Sequence, residues 1–302
     1  MTSAANGRNG SGLQPQELVI TMLGSYLRPR SRRFWSGGMV ELLGEFGFSA
    51  GAARIALIRL VNRELLERSR VGRLAFYTLT NRSRKLLKEG DKRIFSLGSG
   101  PPAADSWTVV WHAIPEEERL KRGRLSRRLR FLGFGALQDG TWVSPHNREA
   151  EAVEVIEDLD VQRYCGVMIG SPAAALDFRA FVSRMWPQEE LSERYRDFLE
   201  EFKPYHARRR SINDQEAFQI RTRAVHSFRQ FPALDPQLPD DYMSAPQFRE
   251  EAIDVFNTIY ERLEEQANRH FDATTRRPET GTRRRRAAAE SPRDRPPAGR
   301  DR

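Results

Sequence analysis

Arg54, Ile55, Ile58, Arg59 and Asn62 recur at the spacing of one helix face in the stretch Ser49–Asn62, SAGAARIALIRLVN. Guanidinium groups on a helix face can bond guanine edges at two points, so this face offers major-groove recognition of duplex DNA, with Arg54, Ile58 and Arg59 as the reading residues. Arg70 and Arg73 follow in a short basic segment that reads as a hairpin. Arg28, Arg30, Arg32 and Arg33 crowd into six positions upstream and are candidate clamps on the DNA backbone. A second kind of phosphate chemistry is offered by Arg208, Arg209 and Arg210 beside Tyr205, because arginine forks match phosphate oxygens. A solvated charge run is the plain alternative for both clusters.

Other chemistries find little support. The five histidines, His112, His146, His206, His226 and His270, show no i, i+3 or i+4 pairing, and Cys165 stands alone. A zinc site from neighbouring ligands and an internal disulfide are therefore not expected, and a lone thiol suits a reducing cytoplasm. No Gly-rich phosphate loop, nucleophile elbow or Cys-His pairing occurs, so no catalytic residue, metal or cofactor is expected. No apolar run reaches the roughly 18 residues of a membrane-spanning helix, and the start MTSAANGRNGSGLQPQ lacks the apolar core of a secretory signal.

The elements that must position the arginines are legible. Ser49 is a good N-cap for a helix whose other side carries Ala53, Ala56, Leu57, Leu60 and Val61. Before it, Met39, Leu42, Leu43 and Phe46 mark a helix over 37–46 that Ser36 can cap, with Gly47-Phe48 as the turn. Glu17–Tyr26 is a further helix candidate, and Phe34-Trp35 a short strand. After it, Leu66–Arg70 and Ala75–Leu79 read as strands around Val71-Gly72-Arg73-Leu74, and Thr80 can cap a helix to Phe95 with Leu86, Leu87, Ile94 and Phe95 inward. Helix, turn, arginine-faced helix and basic hairpin together resemble a winged helix-turn-helix.

The rest of the chain divides by composition. A Gly-, Pro- and Ser-rich linker, 97–106, separates residues 15–96 from a segment 107–170 with β-α-β-β-α-β rhythm, which suggests a ferredoxin-like domain. Its elements are strand 107–114, helix 116–132, a hairpin around Asp139-Gly140, helix 148–159 and strand 161–169. A small metal-dependent nuclease of similar pattern would need a carboxylate at the end of the first strand, and WTVVWHAI has none, so dimerisation is the better role. Residues 171–271 read as helices only: 173–185, 192–203 ending at Pro204, 212–230, and one long helix 247–271. Residues 1–14 and 272–302 are expected to be disordered. The fold class is thus α+β, with a winged helix-turn-helix, a ferredoxin-like middle and an all-helical C-terminal domain.

Net charge is +9 overall, but it is +10 over residues 1–100, −7 over 101–272 and +6 over 273–302. Basic charge on the segment with the helix-turn-helix pattern is the footprint of a DNA-binding protein.

Two stretches, LGSYLRPRSRRFWSGGMVELLGEFGFSAGAARIALIRLVNRELLERSRVGRLAFYTLT and WTVVWHAIPEEERLKRGRLSRRLRFLGFGALQDGTWVSPH, resemble the PaaX-type repressors of phenylacetate-degradation operons. The resemblance spans about residues 15–270. It departs at Glu64, where glycine commonly follows the helix, and at Tyr242, where Trp is more frequent. It implies transcriptional repression by a cytoplasmic homodimer on double-stranded operator DNA, relieved by an aromatic acyl-CoA such as phenylacetyl-CoA. It implies no enzyme activity and no membrane.

Overall fold

A computed structural model describes residues 14–28, 32–98, 106–173, 178–206, 211–238, 240 and 242–276. Arg30, Arg208, Arg209, Arg210, most of the linker and the C-terminal arginine run lie outside these residues, as do the expected disordered ends up to 13 and from 277.

The first helix, α1 (Pro15–Met22), opens with proline at its start and buries Leu18, Val19 and Met22. The single helix expected to Tyr26 instead widens into a π-type turn over Leu23–Leu27. Strand β1 (Phe34–Trp35) leads into α2 (Ser36–Gly44), in which Ser36 is already helical and caps nothing. Helix α3 (Ala50–Asn62) is capped as expected: Ser49 Oγ accepts the Ala52 amide at 3.2 Å. Strands β2 (Leu66–Val71) and β3 (Leu74–Leu79) form the hairpin, and β1 pairs with β3, Phe34 opposite Tyr77, giving the order β1-β3-β2. Thr80 caps α4 (Asn81–Ser96), its Oγ1 accepting the Ser83 amide at 3.1 Å. Leu86, expected inside, is 41% exposed; only Leu87 of that pair faces the core.

The middle segment has the strand order β5-β6-β4-β7, all antiparallel, built from β4 (Trp107–His112), β5 (Gly135–Gln138), β6 (Thr141–Ser144) and β7 (Cys165–Gly170). Helices α5 (Arg119–Phe131) and α6 (Glu149–Asp158) cover one face through Leu125, Leu129, Ala152, Val155 and Ile156 against Val110 and Trp142. The first helix and last strand are shorter than their patterns because 3-10 turns over Glu116–Glu118 and Gln162–Tyr164 precede them. The other sheet face is covered by α7 (Arg179–Met185) and by Leu238 and Met243.

Helices α8 (Gln188–His206), α9 (Asp214–Phe228), α10 (Phe231–Leu234) and α11 (Arg249–Arg262) share a core rich in phenylalanine. Helix α8 runs through Pro204, which lies two residues before its end and removes one backbone donor from its last turn. The long terminal helix is interrupted at Leu263, which separates α11 from α12 (Glu264–Thr275), and α12 packs on α9 and α2.

The packing of α12 changes the domain picture. Phe218, Ala267 and Phe271 belong to the same buried cluster as Leu18, Met39, Leu57 and Leu79, so the N-terminal unit is completed by C-terminal helices. The approach of α12 to α2 requires glycine: a Cβ on Gly38 would lie 2.1 Å from the Thr274 carbonyl oxygen.

Candidate DNA-binding surface

The two faces of α3 are sorted as the spacing demands. Ala53, Ala56, Leu57 and Leu60 are buried, while Arg54, Ile55, Ile58, Arg59 and Asn62 face solvent. Ile55 and Ile58 are each 52% exposed. β-branched aliphatics half in water on a capped, rigid helix gain nothing from folding there, which marks a contact face.

The hairpin stands beside it. Val71 pairs with Leu74, leaving a two-residue turn, Gly72-Arg73. Gly72 has φ +61°, the left-handed conformation that glycine supplies at the first turn residue of a type II′ hairpin. The turn puts exposed Arg73 at the tip, and Arg68 and Arg70 are exposed along β2. The end of α3 is fixed by Glu64, whose φ of +57° is a conformation usually given to glycine. Glu64 is held by its carbonyl, which accepts Thr80 Oγ1 at 2.7 Å, and by its carboxylate 3.4 Å from Arg82.

Charge compensation separates this surface from its surroundings. Arg54, Arg59, Arg63, Arg68, Arg70 and Arg73 have no carboxylate partner among the described residues, whereas Arg28, Arg32 and Arg82 next to this surface each have one. Arg33 lies over the Phe76 ring, 4.9 Å from its centroid, at the foot of the hairpin. The other upstream arginines are engaged inward. Arg28 is bonded to Asp91 of α4, and Arg32 to Asp272 of α12. Both partnerships hold helices together, so neither guanidinium stands free as a backbone clamp.

Of the residues expected to meet phosphate beside Arg208, Arg209 and Arg210, only Tyr205 lies among the described positions, and the nearby aromatic residues sit in separate cores. Trp186 packs in the cluster with Trp107, and Phe198 in the separate core of α8, α9 and α11. Tyr205 is half-buried on that second core, and its carbonyl accepts from Arg262. His112 and His146 do not bond each other: His146 Nε2 donates to the Pro236 carbonyl at 3.0 Å, and burial pushes both imidazoles below the ordinary range. Cys165 is half-buried, and burial pushes its thiol up to about 11, an unreactive protonated state. No group of three His, Cys, Asp or Glu able to hold a metal occurs among the described residues, and none of their helices is long and apolar enough to cross a membrane.

Two polar features carry no sequence signal. Asp235, in the proline-rich loop, is fully buried and accepts from Arg249 at 2.7 and 2.8 Å and from Tyr195 at 2.7 Å. Arg221 is fully buried on α9 between the rings of Tyr26 and Tyr260, 5.3 and 3.9 Å from their centroids, with Nε donating to the Tyr260 carbonyl at 2.9 Å. A charged residue on an apolar helix face is invisible to periodicity, and only the tertiary structure shows what surrounds it.

Fold and surface define an α+β protein that presents uncompensated arginines on one helix and one hairpin. Family models match almost end to end: PaaX-like protein over residues 14–83, the PaaX protein central Cas2-like domain over 100–182, and the PaaX-like protein C-terminal domain over 186–273. The chain belongs to the PaaX family. It is 26% identical over 257 residues to the transcriptional repressor PaaX of Escherichia coli (strain K12), covering 82% of this chain and 79% of that one. An uncharacterized protein from Mycobacterium tuberculosis shares the fold with a TM-score of 0.52 and 17% identity, over 86% of this chain and 99% of that chain.

Proposed function

We propose that the protein is a DNA-binding transcriptional repressor, in which residues 15–96 act as a winged helix-turn-helix, 107–170 as a ferredoxin-like domain and 171–271 as a helical effector domain. The observation that carries this reading is the surface of α3 and the β2–β3 hairpin, where six arginines lack carboxylates and two isoleucines stand half in water. A polyanion supplies the missing charge, and base edges supply contacts for a helix face of this shape. Arg54, Ile58 and Arg59 read bases; Arg70 and Arg73 meet phosphate or the minor groove; Arg33, with Arg30, steadies the backbone, and Arg28 and Arg32 join them only if released from their carboxylates. The resemblance of the chain to a known repressor agrees with this assignment.

The repressor acts as a homodimer on an inverted repeat, since helix-turn-helix pairs match two half-sites. Release by an aromatic acyl-CoA such as phenylacetyl-CoA completes the proposal, with Arg208, Arg209, Arg210 and Tyr205 assigned to its phosphates. The test is fluorescence anisotropy on the DNA upstream of the protein's own gene at near-physiological salt, against scrambled DNA, with and without phenylacetyl-CoA. Specific binding released by the thioester and not by free phenylacetate is expected. No preference over scrambled DNA would overturn the repressor reading; specific binding unmoved by the thioester would remove its effector half.

A further inference from the structure

Helix α5 is unusually basic. Its thirteen residues, RLKRGRLSRRLRF, include seven Arg or Lys and no acid, while α6 carries five acids and no base. The bulk charge of the middle segment conceals this, because residues 107–170 hold 9 basic and 10 acidic side chains.

The seven basic residues differ in their surroundings. Lys121 and Arg128 are taken up on the side toward α6: Lys121 by Glu118 at 2.8 Å and Asp160 at 3.6 Å, Arg128 by Asp158 at 2.8 Å. Arg122 bonds Glu116 at 2.7 Å, and Arg130 lies over the Trp142 ring. Arg119, Arg124 and Arg127 are exposed and have no carboxylate partner among the described residues. They share the solvent side of α5 with Leu120, 74% exposed, and Phe131, 53% exposed. Like charges at i, i+3 and i+4, as in Arg124, Arg127 and Arg128, weaken a helix by tenths of a kcal/mol each, roughly 0.2–0.5. Folding therefore gives no reason for this face.

The face is tied to the hairpin. α4 begins two residues after β3, and near its end Arg93 donates to the Phe131 carbonyl at 3.0 Å and stacks on the Phe131 ring. Lys85 of α4 bonds Glu154 of α6 at 2.7 Å. Exposed Arg82, Lys85, Lys88 and Lys92 line the path along α4 between them. We propose that Arg119, Arg124 and Arg127 on α5 form a second contact with the DNA phosphate backbone, outside the base pairs read by α3. This rests on the DNA-binding reading above.

The full chain and its Arg124→Gln/Arg127→Gln variant would be titrated on operator and scrambled DNA across a salt series. Each phosphate contact contributes about 0.9 to the slope of log affinity against log salt. The variant is expected to lower that slope by about 1.8 on both DNAs, leaving their affinity ratio unchanged, since phosphate contacts carry no sequence information. Arg122→Gln, on a paired residue of the same helix, should leave the slope in place. An unchanged slope in the double variant overturns the proposal. So does a halved mass in light scattering for Arg124→Glu/Arg127→Glu that Glu154→Arg/Glu157→Arg restores, which would assign the face to α6 of a second copy. Wild-type protein that binds neither DNA fails the repressor reading itself, and this proposal with it.

Discussion

His226 makes the junction between the N-terminal unit and the C-terminal helices sensitive to acid. It is 7% exposed, and its Nδ1 lies 3.1 Å from Thr21 Oγ1 of α1. Thr21 Oγ1 donates to the Glu17 carbonyl at 3.2 Å, so it accepts from Nδ1–H of a neutral imidazole. Burial, and then the Arg229 guanidinium, push His226 from 6.5 down to about 4. The unfolded chain therefore binds a proton near pH 6.5 that the folded chain refuses until about pH 4, and stability falls as pH drops through that window. Between pH 7.5 and 5 the loss from this one group is about 2 kcal/mol. Urea unfolding of wild type and His226→Gln at both pH values measures it, because His112 and His146, also pushed down by burial, are common to both proteins. The wild type should lose about 2 kcal/mol more than the variant on acidification. Parallel losses, or an imidazole resonance of His226 titrating near 6.5, would refute the reasoning.

Three further outcomes follow from named contacts. Arg59→Ala should weaken operator binding by roughly 1–3 kcal/mol and relax discrimination at one base pair, checked by anisotropy on base-substituted operators. Arg73→Ala, at the hairpin tip, should weaken all DNA alike and lower the salt slope by about one, checked by the same titration in a salt series. Arg249→Met leaves the buried Asp235 carboxylate with Tyr195 and the Gln237 amide alone. That should cost about 3–5 kcal/mol, read as a lowered thermal midpoint, with Arg249→Lys recovering part of it.

What was legible in the sequence is what short-range chemistry decides. Ser49 and Thr80 each cap the helix that follows. Gly72 and Asp139-Gly140 turn their hairpins, and the exposed face of α3 is the one its spacing predicts. What was not legible depends on partners far along the chain. Nothing local in FNTIYERLEEQANRHF says that Leu263 interrupts the helix or that Ala267 and Phe271 beyond it join the N-terminal core. Arg28 and Arg32 read as free cations only until Asp91 and Asp272 are placed beside them. The basic face of α5 was hidden by averaging its charge with the acids of α6.

The seam between the N-terminal unit and the C-terminal helices is bonded as well as packed, and this bears on how a ligand could act at a distance. Tyr26 shares a hydrogen bond with Thr222 at 2.9 Å, Thr21 with His226, and His270 Nε2 lies 2.7 Å from Glu45 Oε1 at the end of α2. Arg221 fills the layer between Tyr26 and Tyr260. Apolar surfaces slide by fractions of a contact, but buried polar pairs are either made or left unsatisfied at a cost of roughly 1–3 kcal/mol each. A shift of α9 or α12 must therefore either carry α1 and α2 with it or break several such pairs together. Helix α3 packs directly on α1 and α2. In the proposed repressor, an effector that moves the C-terminal helices without breaking these pairs reorients α3 together with α1 and α2, and the π-type turn at Leu23–Leu27 follows directly on α1.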